Sequence, residues 1–340
     1  MRLVFLVWLA TAGCRDAVAH EPALELDPLP ASTASSSNIN PRLLRRFKSV
    51  QRTEGVVEMV ELGKHLFFEP RLSRDGKVSC NTCHPLDRGG ADGKAVSLGV
   101  DGRPGRRNAP TVFNAARHVA QFWDGRAPDL ATQAKGPLLS RDEMDMGQPA
   151  RVTSVLRAVR GYAPLFTAAF PGEPDAIDFT HATEALAAFE ATLMTPSRWD
   201  RFLDGDTKAL SGPELEGLRV FGNLGCVQCH TGELVGGKMY QPVGLTKPWP
   251  NQKDQGRYEL SHQESDRMMF KVPSLRNVAL TAPYFHDGSV SDLGEAIKLM
   301  GSHQLDLEIS DRDVTSITAW LGTLTGEPGS RDLHPPTLPR

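Results

Sequence analysis

The sequence carries one five-residue pattern twice, C-x-x-C-H, at Cys80–His84 and at Cys226–His230. This pattern is the attachment signature of c-type heme. The two thiols add to the two vinyl groups of one porphyrin, and the adjacent histidine supplies the proximal imidazole ligand to the iron. The sequence therefore predicts two covalently bound c-type hemes. The attaching thiols are Cys80 and Cys83, then Cys226 and Cys229, and the proximal ligands are His84 and His230.

Two other kinds of site use paired cysteines, and both fit less well. A structural zinc site needs a second Cys or His pair at ligand spacing beside each motif, and the sequence has none. A redox dithiol of the thioredoxin kind expects a βαβ setting and needs no histidine after the second cysteine. The heme interpretation is therefore preferred over both.

The residues before each motif have the pattern of a helix that ends in a tight turn. Glu54 to Phe68 has helix-like apolar spacing, and Ser211–Glu214 is a capping box that opens a second apolar helix. Residues 151–204 also have helical spacing. We therefore expect an all-α, mostly helical fold with two cytochrome c-like domains, 47–204 and 205–326, one heme in each, and a loop-rich interface.

Other stretches make the sequence similar to the bacterial diheme cytochrome c peroxidases and their MauG-type relatives. The matching stretches are Arg107–Ala115, Phe122–Arg126, Gln133–Met144 and Lys271–Gly288. The resemblance covers roughly residues 50 to 326. It implies that hydrogen peroxide binds at the first heme and that the second heme transfers electrons.

The resemblance also places residues around the first heme. Gln133 and Glu143 match the family's distal pair, and Trp123 matches a tryptophan between the two hemes that relays electrons. A carboxylate suits cleavage of the O–O bond, because a proton must move from one peroxide oxygen to the other. Glu143 is also the last residue of a capping box that begins at Ser140. From the residues alone, that capping role and a core role for Trp123 are the simpler interpretations.

The sixth ligand of the second iron is predicted to be Met300, which ends a helix from Ser291 to Leu299. Thioether ligation raises the reduction potential of a heme. A methionine is more often core filler, and MauG itself has a tyrosine at this position. Val100 stands where some peroxidases carry a histidine that ligates the first iron in the resting enzyme. We therefore expect a first heme without a sixth protein ligand, as in the MauG branch.

Asn108, Thr281 and Pro283 match the family's calcium site between the domains, where amide and carbonyl oxygens suit a hard cation. The resemblance thus implies Ca²⁺ as a third cofactor. It also places His286 near a heme propionate.

The N-terminal residues have the features of an export signal. Residues 1–19 contain a short apolar run and an A-x-A site at Ala17–Ala19, while Cys14 follows a lipobox-like sequence. The mature protein is then periplasmic, either free or anchored by a lipid on Cys14. Residues 20–46 read as a Pro/Ser-rich flexible tether and 327–340 as a loose tail. The basic residues Arg42, Arg45, Arg46 and Lys48 face either lipid headgroups or solvent.

Three functions follow, in order of preference. The first is a periplasmic peroxidase that takes electrons from a small donor, a cytochrome c or a cupredoxin. The second is a MauG-like oxidase that modifies Trp or Tyr of a partner protein through a high-valent diheme state. The third is a diheme electron carrier without catalysis. A net charge of −3 gives no electrostatic case for nucleic acid. A homodimer is compatible with all three functions.

Overall fold

The structure, a computed structural model, describes residues 39–329 and 333–340. The mostly helical prediction is confirmed. Within the described residues the only sheet has two antiparallel strands, β1 (Tyr240–Pro242) and β2 (Met269–Lys271). The α-helices are α1 (Pro41–Leu44), α2 (Val57–Phe67), α3 (Cys80–Cys83), α4 (Leu130–Leu139), α5 (Pro149–Ala158), α6 (Tyr162–Ala169), α7 (Phe179–Thr192), α8 (Arg198–Leu203), α9 (Gly212–Asn223), α10 (Tyr258–Ser261), α11 (Leu293–Leu305) and α12 (Asp311–Gly322).

One hydrophobic core, the first core, surrounds the crossing of α2 with α7. Gly63 lies at this crossing, and a Cβ added there would overlap the carbonyl oxygen of Ala185. Leu62, Leu66 and Phe189 are fully buried around it. The absence of a side chain at residue 63 therefore lets the two helix backbones approach closely.

A second hydrophobic core, the second core, repeats this arrangement with α9 and α12. A Cβ added to Gly217 would overlap the carbonyl oxygen of Ser316, and Trp320 is fully buried beside it. The capping box predicted at Ser211–Glu214 is confirmed at the start of α9. In each core, the helix that precedes a C-x-x-C-H motif crosses a helix that follows it much later in the chain.

The division between the two cores differs from the predicted boundary after residue 204. Trp199 and Phe202 of α8 are buried in the second core, together with Ile39 and Phe47. The side chain of Asp200 accepts hydrogen bonds at 2.7 and 2.8 Å from the buried guanidinium of Arg276. This ion pair ties α8 to the second core.

The predicted tether is shorter than residues 20–46. Ile39 is 4% exposed, and α1 follows it directly, so the tether prediction is wrong for residues 39–46. The rest of the predicted tether, the predicted export signal and Cys14 lie outside the described residues. No helix within residues 39–329 and 333–340 has the length and apolar character needed to cross a bilayer.

The tail prediction is wrong for residues 333–340. Leu333 and Leu338 pack against the first core. The carbonyl oxygen of Arg340 accepts a hydrogen bond from the Gly161 N–H at 2.9 Å, and that of Pro339 accepts one from the Arg71 guanidinium at 2.8 Å. The chain therefore returns to the first core after α12 has completed the second.

Candidate heme sites

The first motif forms the short helix α3, capped by a reciprocal pair of hydrogen bonds between Ser79 and Thr82. His84 follows at its end, with Nδ1 3.2 Å from the carbonyl oxygen of Gly90. When Nδ1 carries the proton and donates it there, Nε2 is the nitrogen left to bind a metal. Burial lowers the pKa of His84, so the ring is neutral at pH 7, as a ligand must be.

A cavity lies against this motif. Cys80, Cys83 and His84 line it, together with Gln133 and Glu143. The structure thus brings together five residues that the sequence analysis assigned to the first heme. The rest of the lining is mostly apolar, with Val78, Val112, Ala134, Pro137, Leu138 and Met144. Two thiols, a neutral imidazole and apolar walls fit a covalently held porphyrin.

Glu143 is held at the cavity by the turn that follows α4. The Met144 N–H donates to the Pro137 carbonyl oxygen at 3.1 Å, which folds residues 140–146 back onto the helix. The Val100 N–H donates to the Glu143 carbonyl oxygen at 2.8 Å. This approach requires glycine at Gly99, because a Cβ there would overlap the carbonyl oxygen of Glu143. Val100 itself is fully buried in the first core.

Burial raises the pKa of Glu143, and hydrogen bonding from Ser140 and the charge of Arg126 oppose that effect. A carboxyl group with a raised pKa is better matched to proton transfer near neutral pH. Residues 141–144 form a turn, not a helix, so the alternative in which Ser140 and Glu143 cap a helix is wrong.

Glu190 was missed by the sequence analysis, which treated residues 151–204 as packing alone. Its side chain lies on α7, is 6% exposed and lines the same cavity. Burial raises the pKa of Glu190 to about 8, because no cation near it stabilises the charged form. The available signal was a glutamate on the apolar face of α7, one residue after Phe189.

The second motif presents its histidine in the same way. Nδ1 of His230 lies 3.1 Å from the carbonyl oxygen of Val235, and burial lowers the pKa of His230 to about 4. Cys226 and Cys229 are half-buried beside it. The donor set of two thiols and one neutral imidazole therefore fits a second c-type heme. Met300 is half-buried on α11, which runs on to Leu305, so the prediction that Met300 ends its helix is wrong.

Trp123 is held between the two halves of the chain. Its indole N–H donates to the carbonyl oxygen of Asn108 at 2.9 Å, and its own carbonyl oxygen accepts from the Lys271 N–H at 2.7 Å. Its ring meets that of His286 edge-on, with 6.5 Å between centroids. The position of Trp123 is thus fixed by contacts from both sides.

A second buried pair near Trp123 was also not predicted. The ammonium nitrogen of Lys271 lies 2.8 Å from Nδ1 of His118. Burial lowers the pKa of Lys271 to about 7 and, with the charge of Lys271, lowers the pKa of His118 well below its usual value.

The residues of the predicted calcium site lie on neighbouring loops. The Asn108 amide donates to the Lys94 carbonyl oxygen at 2.9 Å, and a Cβ on Gly93 would lie 3.8 Å from the carbonyl oxygen of Ala282. The amide oxygen of Asn108 and nearby carbonyl oxygens suit a hard cation. Within the described residues, no cluster of three or more His, Cys, Asp or Glu side chains could bind a metal ion. The predicted ligand set contains none of these residue types.

Nε2 of His286 is buried and has no hydrogen-bond partner among the described residues. Its ring is stacked on Phe270 with 4.2 Å between centroids. An unpartnered donor of this kind fits the propionate that the sequence analysis placed beside it.

Comparison with known proteins agrees with this chemistry. A profile of the family described as di-haem cytochrome c peroxidase matches residues 57–208. The chain is 45% identical over 284 residues to the cytochrome c551 peroxidase of Nitrosomonas europaea, covering 83% of this chain and 84% of that protein. It is 37% identical over 294 residues to the methylamine utilization protein MauG of Methylorubrum extorquens, covering 83% and 82%. A crystal structure of a MauG-like protein associated with microbial copper homeostasis superposes with a TM-score of 0.72 at 28% identity, covering 85% of this chain and 96% of that one.

Proposed function

The chain belongs to the di-haem cytochrome c peroxidase family and is a diheme peroxidase-type oxidoreductase, and from this premise we propose a specific reaction. The protein reduces hydrogen peroxide to water at the first motif, using electrons that a small redox protein delivers at the second motif. The observation that carries the proposal is a single cavity lined by Gln133 and Glu143 together with Cys80, Cys83 and His84.

Each heme, when bound, would supply a redox-active iron, and His84 and His230 would hold the irons through Nε2. The chain's own residues manage peroxide and protons. The Gln133 amide orients peroxide by hydrogen bonding, and the Glu143 carboxyl takes a proton from one peroxide oxygen and returns it to the other. Reduction to two waters consumes two further protons and two electrons. The raised pKa of Glu143 keeps proton return possible near neutral pH.

Electron delivery is assigned to the second motif, to Met300 as the sixth ligand there, and to Trp123 between the motifs. The backbone of Trp123 is hydrogen-bonded to β2, and its side chain to the Asn108 loop. Val100 cannot ligate a metal, and its N–H is engaged by Glu143. We therefore assign no sixth protein ligand to the first iron and no reductive activation step.

The second candidate is an oxidase that modifies Trp or Tyr of a partner protein. The non-ligating side chain of Val100 supports it, and so does the similarity to MauG. The peroxidase ranks higher because a peroxidase is more similar in sequence and because Met300 suits an electron-accepting heme. A carrier without catalysis would leave Gln133 and Glu143 in the cavity without a role.

The remaining assignments extend the proposal. Export to the periplasm rests on residues 1–19 and on the covalent hemes, with Cys14 as the alternative lipid anchor. Ca²⁺ is assigned to the loops of Asn108, Thr281 and Pro283.

The proposal is tested with Glu143→Gln in the protein carrying both hemes. Loss of the acid/base group should lower kcat for peroxide roughly hundredfold or more while both hemes stay attached. Asp142→Asn is the matched control, because Asp142 is the exposed neighbour on the same turn. Turnover is followed with a small chemical reductant, and heme content by the pyridine hemochrome spectrum. Undiminished turnover in Glu143→Gln would remove Glu143 from the mechanism.

A further inference from the structure

The segment 41–48 wraps the second heme motif. The guanidinium of Arg46 donates to the carbonyl oxygen of Val227 at 3.1 Å, and Val227 lies between the two cysteines of that motif. The Gly232 N–H donates to the Arg46 carbonyl oxygen at 2.8 Å. Leu43 packs against α9 at Gly222, where it would meet an added Cβ. The segment is therefore part of the surface around the second heme motif.

This segment carries four exposed cations, Arg42, Arg45, Arg46 and Lys48. Across residues 39–329 and 333–340, none of the four forms an ion pair with a carboxylate, although most other arginines do. Arg45 and Lys48 line an open groove with Phe47, Leu203 and Asp204. Asp204, the one carboxylate of that groove, accepts a hydrogen bond from Gln51 at 3.3 Å. The face is thus locally positive on a chain whose net charge is −3.

We propose that this basic face, residues 42–48, binds the acidic surface of the small redox protein that donates electrons to the second heme. The inference rests on the proposed function in that the second heme receives electrons. Complementary charge steers association and can raise its rate by one to three orders of magnitude. A donor seated here would lie against the loop between the two heme-attaching cysteines.

An anionic membrane surface is the other partner that a basic segment fits. The contact of Arg46 with Val227 favours the redox protein. Membrane binding would need only charge near the N-terminal part of the chain, whereas a donor needs charge at the heme motif. A membrane seated on this face would also cover the motif through which electrons are proposed to enter.

The test compares Arg45→Glu/Lys48→Glu with Arg151→Glu/Arg160→Glu. Arg151 and Arg160 are exposed residues in and just after α5, beside the first core, so the control makes the same change of net charge elsewhere. Arg46 is left intact because it hydrogen-bonds to the motif. Stopped-flow absorbance follows reduction of the second heme, without peroxide, by a reduced acidic cupredoxin, by a reduced basic c-type cytochrome, and by ascorbate.

We expect the charge reversal at residues 45 and 48 to slow reduction by the acidic cupredoxin about tenfold or more at low salt. The rate advantage of the wild-type protein should shrink as added salt shortens the Debye length toward ~8 Å. Ascorbate reduction should not change, and the control variant should behave as wild type. An unchanged rate with the acidic cupredoxin, or equal losses in both variants, would overturn the proposal.

Vesicles containing phosphatidylglycerol supply the membrane arm. Loss of vesicle binding in Arg45→Glu/Lys48→Glu, with an unchanged rate of reduction by the acidic cupredoxin, would assign the face to lipid and refute donor docking. Since the assay contains no peroxide, failure of the peroxidase reaction would leave this result interpretable on its own.

Discussion

Gly63 on α2 and Gly217 on α9 occupy the same place in two helix crossings. Ala185 and Phe189 of α7 meet the first glycine as Ser316 and Trp320 of α12 meet the second. Each histidine in turn presents Nδ1 to a carbonyl oxygen five or six residues later. The two cores therefore share both the crossing and the proximal presentation of the motif, as expected of a duplicated cytochrome unit.

The two cores differ in the groups added around the shared part. The residue after Phe189 is Glu190, whereas the residue after Trp320 is Leu321, and both side chains are buried. Glu143 and Gln133 also belong only to the first cavity, and the unpaired basic face belongs only to the second motif. Under the proposed function, this contrast corresponds to proton chemistry at the first motif and partner contact at the second.

The first and last segments that the structure describes are exchanged between the cores. Ile39 and Phe47 complete the second core, while residues 333–340 return to the first. Each core therefore depends on a segment remote in sequence from its own heme motif.

The largest effect is expected from the crossing itself. Gly63→Ala and Gly217→Ala each place a Cβ on a backbone carbonyl of the opposite helix, so the helices must separate. We expect a loss of about 4 kcal/mol or more in each case, beyond ordinary overpacking. Chemical denaturation followed by far-ultraviolet circular dichroism measures the loss. Similar losses of unfolding free energy in the two variants would support a shared helix crossing in the two cores. A large loss at only one glycine would show that the two crossings are not equivalent.

Gly322→Ala supplies the control within α12. A Cβ at Gly322 meets nothing within 4 Å. The substitution should be neutral or stabilise by about 0.5–1 kcal/mol, because alanine restricts the unfolded chain more than glycine does.

The second prediction sharpens the contrast between Glu190 and Leu321. The folded-state pKa of Glu190, about 8, lies above the ordinary glutamate value of 4.5. The unfolded chain therefore releases this proton first, and the folded state loses stability as pH rises from about 4.5 to 8. Each pKa unit corresponds to ~1.4 kcal/mol. Glu190→Gln should consequently stabilise the protein by up to roughly 4 kcal/mol at pH 8 and very little at pH 4.5.

The measurement is the free energy of unfolding at several pH values for wild type, Glu190→Gln and Glu184→Gln. Glu184 is exposed on the same helix, so its substitution should leave the pH profile unchanged. Parallel profiles for wild type and Glu190→Gln would mean that Glu190 has a charge partner once the heme is bound.

Much of this arrangement is readable from local sequence. Cys80–His84 and Cys226–His230 identify the chemistry, because attachment and ligation require adjacent residues of fixed type. The start of α9 follows from its capping box, whose groups lie within one turn. The turn at Glu143 is harder to predict, because a capping box and a turn use the same residue types. Only the contact with Val100, which is distant in sequence, distinguishes the two.

The features that were missed depend on distant contacts. Glu190 is unusual only because α7 crosses α2 beside the first motif, which spacing within α7 cannot reveal. Residues 39–46 and 333–340 have the composition of mobile segments, yet each completes a core far away in the sequence. The composition of a segment indicates the conformational entropy lost when it is ordered. It does not reveal the apolar surface elsewhere in the chain whose burial offsets that loss.

The smallest effect is expected from removing the last residues, which pack on the first core. A chain that stops at Thr337 loses the partly buried Leu338 and the hydrogen bonds to Gly161 and Arg71. These contacts sum to about 1–2 kcal/mol. Hydrogen exchange should therefore speed up in α6 of the first core and remain unchanged in α12 of the second. Faster exchange in α12, or an unchanged exchange rate in α6, would contradict the assignment of the last residues to the first core alone.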